Sequence, residues 1–168
     1  AQRPRAETFG SSLVYIYDAP TAKDRLIPLE VVFRLGMPAG SSLGERLTPA
    51  YARTLGLAAT PAPGVLFPAP VIEFFTKLEE TDRHLSLEQA VNYSHLDADL
   101  FRSLGARTIL VSLWLSRFFG ERGLELWDGK LEWGVIDGHL ALVDCIGPDE
   151  LRLIEPSTGV QASKEFLR

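Results

Sequence analysis

Asp128-Gly129-Lys130-Leu131-Glu132-Trp133-Gly134-Val135-Ile136-Asp137-Gly138-His139-Leu140-Ala141-Leu142-Val143-Asp144 is the stretch on which the fold turns. Asp137-Gly138 is a two-residue turn signal between apolar runs, so the stretch reads as a β-hairpin. Asp128, Lys130 and Glu132 alternate, which puts their side chains on one face of an extended strand. Closing the hairpin brings Glu132 back beside Asp144, and Arg152 follows shortly after. Two carboxylates near a lysine and an arginine are what a Mg²⁺–nucleotide site needs. Hard oxygens hold the metal, and the cations neutralise phosphate charge. A hairpin with solvated charges would carry the same letters, and the rest of the chain decides between them.

Composition narrows the field. The net charge of -5, with no Lys/Arg-rich block, gives no support to nucleic-acid binding. A single cysteine excludes an internal disulfide and any Cys-based zinc cluster, and fits a reducing compartment. The apolar run at 108–116 is too short to span a bilayer, and the opening residues lack a signal-peptide pattern. The expectation is a soluble, cytoplasmic protein that acts on small molecules, without nucleic acid or membrane, and a homo-oligomer stays open. The chain begins without Met and enters a strand-like run by Leu13, as a fragment would.

Residues 12–17 and 27–34 read as strands rich in β-branched and aromatic residues, with Pro28 at a strand start or edge. Residues 35–43 read as a loop, and 47–57 as a short helix capped by Thr48. Four prolines make 58–70 irregular connecting chain. Val71-Ile72-Glu73-Phe74-Phe75-Thr76-Lys77-Leu78-Glu79 reads as an amphipathic edge strand with solvated charges on Glu73, Lys77 and Glu79. Ser86 can cap a helix through about Tyr93. The clearest helix runs from near Asp97 to about Phe119, its core stripe read as Leu100, Leu104, Ile109, Leu113 and Phe118. Strands first, then helices, then a β-rich end argue for an α+β fold. Trp114, Trp127 and Trp133 are expected in core or strand packing rather than as base-stacking platforms, and Cys145 as a packed thiol. His139 is expected to be exposed past the hairpin turn. His84, His95 and His139 show no metal-ligand spacing.

A second constellation accompanies the hairpin. The strand 27–34 ends in Arg34 and enters Ala39-Gly40-Ser41-Ser42, which can offer a guanidinium, a hydroxyl and backbone N–H groups to one phosphate. An ordinary strand-end arginine and turn would look the same.

Taken together these segments resemble the SAICAR synthetase family. Ile27-Pro28-Leu29-Glu30-Val31-Val32-Phe33-Arg34 is similar to its IPLEVVVR strand, and Ala39-Gly40-Ser41 to its phosphate loop. Val71 to Glu79 is similar to its Thr-Lys-x-Glu strand, Asp128 to Gly134 to its Asp-x-Lys-x-Glu-Phe-Gly segment, and Val143 to Arg152 to its Asp-Glu-x-x-(Ser/Thr)-Pro-Asp-x-x-Arg loop. The order and most spacings agree, and the likeness runs from about Arg25 to Arg168. It implies an α+β fold related to the large lobe of protein kinases, with an antiparallel sheet and a long core helix. A single domain over 1–168 follows, with the ATP-binding small lobe, its glycine-rich strand pair and its lysine outside this chain.

The resemblance also implies a function. ATP and Mg²⁺ would serve the ligation of L-aspartate to carboxyaminoimidazole ribonucleotide. Glu132 and Asp144 would hold Mg²⁺. Lys130 would stabilise the transferring phosphoryl group, with Asp128 in support. Arg34, Ser41 and Arg152 would grip the ribonucleotide's 5′-phosphate, and Lys77 and Asp82 would meet aspartate. The departures are specific: Cys145 stands where the family has Glu, Gly147 replaces Ser or Thr, and the 34–41 loop is one residue longer. They set up two alternatives, a non-catalytic relative binding a phosphorylated nucleotide or a protein partner, and a phosphotransferase on another small substrate.

Overall fold

In the computed structural model residues 5–9, 12–16 and 24–162 are described, the first two stretches by backbone alone. They form β1 (Arg5–Phe9) and β2 (Ser12–Ile16), an antiparallel pair that matches Arg5 to Ile16 and Phe9 to Ser12. The sequence marked the second strand and missed the first. Tyr17 and the end of the likeness beyond residue 162 lie outside the described residues.

The remaining elements are β3 (Arg25–Met37), α1 (Ser42–Arg46), α2 (Pro49–Thr54), β4 (Val65–Thr76), β5 (His84–Leu85), α3 (Leu87–Ser94), α4 (Ala98–Gly120), β6 (Glu125–Ile136), β7 (His139–Leu142) and β8 (Leu151–Ile154). The larger sheet has the order β5-β4-β3-β6-β7, and β8 also pairs with β6. The β4–β5, β6–β7 and β6–β8 pairs are antiparallel. No described helix is long and apolar enough to cross a membrane.

Two compact units divide the chain. One comprises Ala1–Glu30, Phe74–Leu104 and Glu132–Cys145; the other comprises Val31–Glu73, Gly105–Leu131 and Ile146–Arg168. In the first, Ile27 and Leu29 of β3 are fully buried, and the rings of Phe74 and Phe101 meet at 5.1 Å between centroids. Pro28 is not at a strand start or edge but inside this central strand, where its carbonyl accepts the Lys77 N–H. A proline lacks only the donor, so the ladder keeps that bond. Ser86 caps α3 in a full capping box with Gln89. Asp137-Gly138 turns the hairpin with φ of 50° and 81°, the pair of positive values that a type I′ turn needs.

In the second unit Val31, Phe33, Leu43 and Leu153 are buried, and Ala52, Leu57 and Val71 form a smaller cluster. β4 begins at Val65, earlier than expected, because its first half is mostly exposed and so tolerates Pro68 and Pro70. Ser41 caps the five-residue α1 inside the stretch read as loop, and Thr48 caps α2 as expected. The buried stripe of α4 in this unit is Thr108, Ser112 and Leu115, while Leu113 and Trp114 are exposed. The sequence misplaced this part of the stripe because two small hydroxyl residues share the inner face with Leu115, while Leu113 faces out. Trp127 and Trp133 are buried as expected; Trp114 is not, and Cys145 is exposed rather than packed. His139 is exposed as expected.

Candidate active site

Gly129 explains why β6 lies where it does. A Cβ there would come within 2.6 Å of both Leu151 Cδ2 and Phe33 Cζ, and within 2.9 Å of the Glu150 carbonyl oxygen. Only glycine lets β6 lie this close to β8 and to Phe33. The approach pairs Asp128 with Arg152 in the β6–β8 register.

Around Asp128 the second unit builds a charged cluster. Arg34 Nη1 donates to Asp128 Oδ2 at 3.0 Å, and Arg152 Nε lies 3.4 Å from Asp128 Oδ1. Arg34 Nη1 also donates to Ser41 Oγ, and Nη2 to Ser42 Oγ, each at 3.4 Å. Arg34 Nε donates to Glu73 Oε2 at 2.5 Å. Glu73 Oε1 accepts from Arg46 Nη2 at 3.0 Å and from Tyr51 Oη at 2.9 Å. Three guanidiniums thus meet two carboxylates, a grouping of the kind that can take an anion. Ser41 Oγ already accepts from Arg34 and the Leu43 N–H, so its own hydrogen is left to donate.

The two carboxylates respond oppositely. Burial pushes the Glu73 carboxyl up, but the Arg34 guanidinium and its hydrogen bond, with Arg46, outweigh that and hold it below the usual value. For Asp128 burial wins over Arg152 and Arg34, aided by the nearby Glu73 charge, and its carboxyl is raised. Burial, then the charge and hydrogen bond of Glu73, drive the Tyr51 phenol well above its ordinary value, so it stays a neutral donor. Lys130 forms an ion pair with Glu150 Oε2 at 3.2 Å, and its backbone N–H donates to the Glu150 carbonyl.

The first unit holds a smaller cluster. Lys77 Nζ lies 2.6 Å from Glu132 Oε1 and 3.1 Å from Glu30 Oε1. Burial lowers the Lys77 ammonium, but its bonds to Glu132 and Glu30 outweigh that and raise it. The hairpin pairs Trp133 with Leu142, and the Val143 N–H donates to the Glu132 carbonyl. Val143, not Asp144, therefore stands opposite Glu132, and Asp144 follows one residue on, exposed, its Oδ1 accepting the Cys145 N–H. Asp82 is exposed in the turn that the Arg83–Glu79 ion pair braces. Among the described residues no group of three or more His, Cys, Asp and Glu is arranged to hold a metal.

Of the residues singled out in the sequence, Arg34, Ser41, Asp128 and Arg152 are brought together. Lys77 and Glu132 meet each other; Lys130 turns to Glu150. Glu73, Arg46 and Tyr51 were missed. β4 is not an edge strand, and Glu73 is buried rather than solvated. One signal was present: a lone carboxylate inside the apolar run Val71-Ile72-Glu73-Phe74-Phe75 needs a buried cation.

The SAICAR synthetase family model matches residues 18–168. The chain belongs to the SAICAR synthetase family. A relative from Archaeoglobus fulgidus is 37% identical over 147 residues, covering 85% of this chain and 44% of its own length. Phosphoribosylaminoimidazole-succinocarboxamide synthase of Exiguobacterium is 34% identical over 149 residues, covering 85% of this chain and 56% of its own. The chain therefore spans about half the length of the curated relatives it matches. A solved SAICAR synthetase in complex with ADP shares the fold, with a TM-score of 0.71, 23% identity, and coverage of 99% of this chain and 64% of that one. Within the family, the α+β fold with its antiparallel pairs and long helix α4 is as the resemblance implied.

Proposed function

We propose that the protein to which this chain belongs is an ATP-dependent ligase that joins L-aspartate to carboxyaminoimidazole ribonucleotide, giving SAICAR for purine biosynthesis. One observation carries the reading: Arg34 and Ser41 from one stretch and Arg152 from a distant one gather around Asp128. Arg152 and the Ser41 hydroxyl would take the 5′-phosphate, with Arg34 behind them. ATP activates the substrate carboxylate by phosphoryl transfer, and the aspartate amine displaces phosphate to form the amide. Such chemistry depends mainly on positioning and charge neutralisation.

Glu132 and Asp144 suit Mg²⁺ by donor type, each being a carboxylate, though Asp144 stands one residue past the position opposite Glu132. Mg²⁺ supplies charge neutralisation for the phosphates when bound. Lys77, 2.6 Å from Glu132 Oε1, steadies that carboxylate and would itself meet aspartate. Lys130 would carry the transferring phosphoryl group's charge, after leaving Glu150, and Asp82 would meet aspartate. The setting would be the cytoplasm. The test is ADP release by the full-length protein with ribonucleotide, aspartate and Mg²⁺. Release that requires both ribonucleotide and aspartate is expected; none with all of them present would turn the reading toward a non-catalytic relative.

A further inference from the structure

Glu73 lies in β4, three residues before its end at Thr76, and has no place in the phosphate-binding set proposed above. Yet it is 1% exposed, and its two oxygens take three donors from β3, α1 and α2. We infer that Glu73 is the positioning residue of the phosphate cluster, fixing the guanidinium plane of Arg34 and tying the α1–α2 segment to it. The inference rests on the reading that this cluster takes the ribonucleotide's phosphate.

Geometry carries it. A guanidinium is a rigid planar fork, so an anchor on Nε sets the direction of both Nη groups. Arg34 is anchored there by Glu73, and its Nη groups consequently reach Asp128, Ser41 and Ser42. Four hydrogen bonds leave Arg34 little to offer a ligand directly, and at 4% exposure it stands behind the site rather than in it. What it can do is hold Ser41, Ser42 and Asp128 in place, and through Asp128 hold Arg152, whose side chain is 28% exposed. Glu73 also lets Arg46 lie near Arg34 without net repulsion, since one carboxylate serves both. A buried ion triad is seldom more stabilising than apolar packing of the same volume, so stability alone is a weak reason for it.

The test compares affinities of the full-length protein for carboxyaminoimidazole ribonucleotide and for its phosphate-free nucleoside, by calorimetry, in wild type, E73Q, E73D, R34K and R152A. In E73Q the ratio of the two affinities should fall about tenfold or more, while nucleoside and ATP affinities stay near wild type. The ribonucleotide KM should rise with little change in kcat. The R34K/E73Q double variant should lose no more than R34K, because lysine has no fork to orient. E73D keeps the charge but is one methylene shorter, and covers the case in which E73Q does not fold; its ratio should be intermediate. A wild-type ratio in E73Q or E73D, with the ratio collapsed in R152A, overturns the inference and leaves the phosphate reading standing. Equal loss of nucleoside, ATP and ribonucleotide binding in E73Q shows a structural role only and also overturns it. An unchanged ratio in R152A removes the phosphate reading itself, and this inference with it.

Discussion

Arg34 Nη1 and Asp128 Oδ2 lie 3.0 Å apart across 94 positions of sequence. The contact joins β3 to β6 inside one unit and is the point from which the charged cluster grows. Arg152 reaches the other oxygen of the same carboxylate. Asp128 thus holds one arginine that is buried and one that is partly open to solvent.

Arg152 is the more accessible of the two and should carry the direct phosphate contact. A charge-assisted hydrogen bond to phosphate contributes about 1.5–3 kcal/mol. R152A should weaken ribonucleotide binding about 10- to 100-fold and leave ATP binding nearly intact. Isothermal titration with each ligand checks this, and equal loss of both counts against it.

The pH dependence of stability should carry opposite signs at the two carboxylates. The Glu73 carboxyl is lowered from 4.5, so its contribution is complete above that value and is lost as pH falls through the lowered one. Asp128 is raised from 3.8, so the folded state holds its proton more tightly. Its ionisation costs stability as pH rises through the raised value. Denaturant melts from about pH 6 downward should therefore show E73Q losing part of the wild type's decline in acid. D128N should decline more steeply than wild type over the same range. Parallel curves for all three proteins would contradict the assignment.

Much of this arrangement was legible beforehand, and for identifiable reasons. Asp137-Gly138 gave the hairpin, Thr48 and Ser86 gave two caps, and Arg34 with its Gly-Ser loop gave one corner of the charged cluster. These are local signals, decided within a few residues of chain. Glu73 was not legible in role because its partners come from β3, α1 and α2, and alternation alone cannot say which face of a strand is covered. The α4 stripe held at Leu104 but failed at Leu113 for a related reason. Thr108 and Ser112 are polar by letter, yet small enough to sit on the inner face.

Gly129 has no tolerance for a side chain. The contacts of 2.6 Å that a Cβ would make are with Phe33 and Leu151, both core residues, and a third is with backbone. G129A should destabilise the protein by about 1–3 kcal/mol or more through overpacking. It should also displace Asp128 and Lys130, lowering ribonucleotide affinity together with the melting midpoint. Thermal melts paired with a binding titration test both effects.

Glu132 should set the metal requirement. Its Oε1 is held by Lys77, so Mg²⁺ would enter beside an existing cation. E132Q removes one of two proposed carboxylate ligands and should raise the Mg²⁺ concentration for half-maximal ADP release by about tenfold or more. An unchanged Mg²⁺ dependence would remove Glu132 from the metal site.

The most direct measurement is a crystal structure of the full-length protein with the ribonucleotide bound. The phosphate should lie within hydrogen-bond distance of Arg152 and the Ser41 hydroxyl, with Arg34 still joined to Glu73 and Asp128 behind them. A phosphate bound elsewhere, with Arg152 unmoved on Asp128, would contradict the central claim.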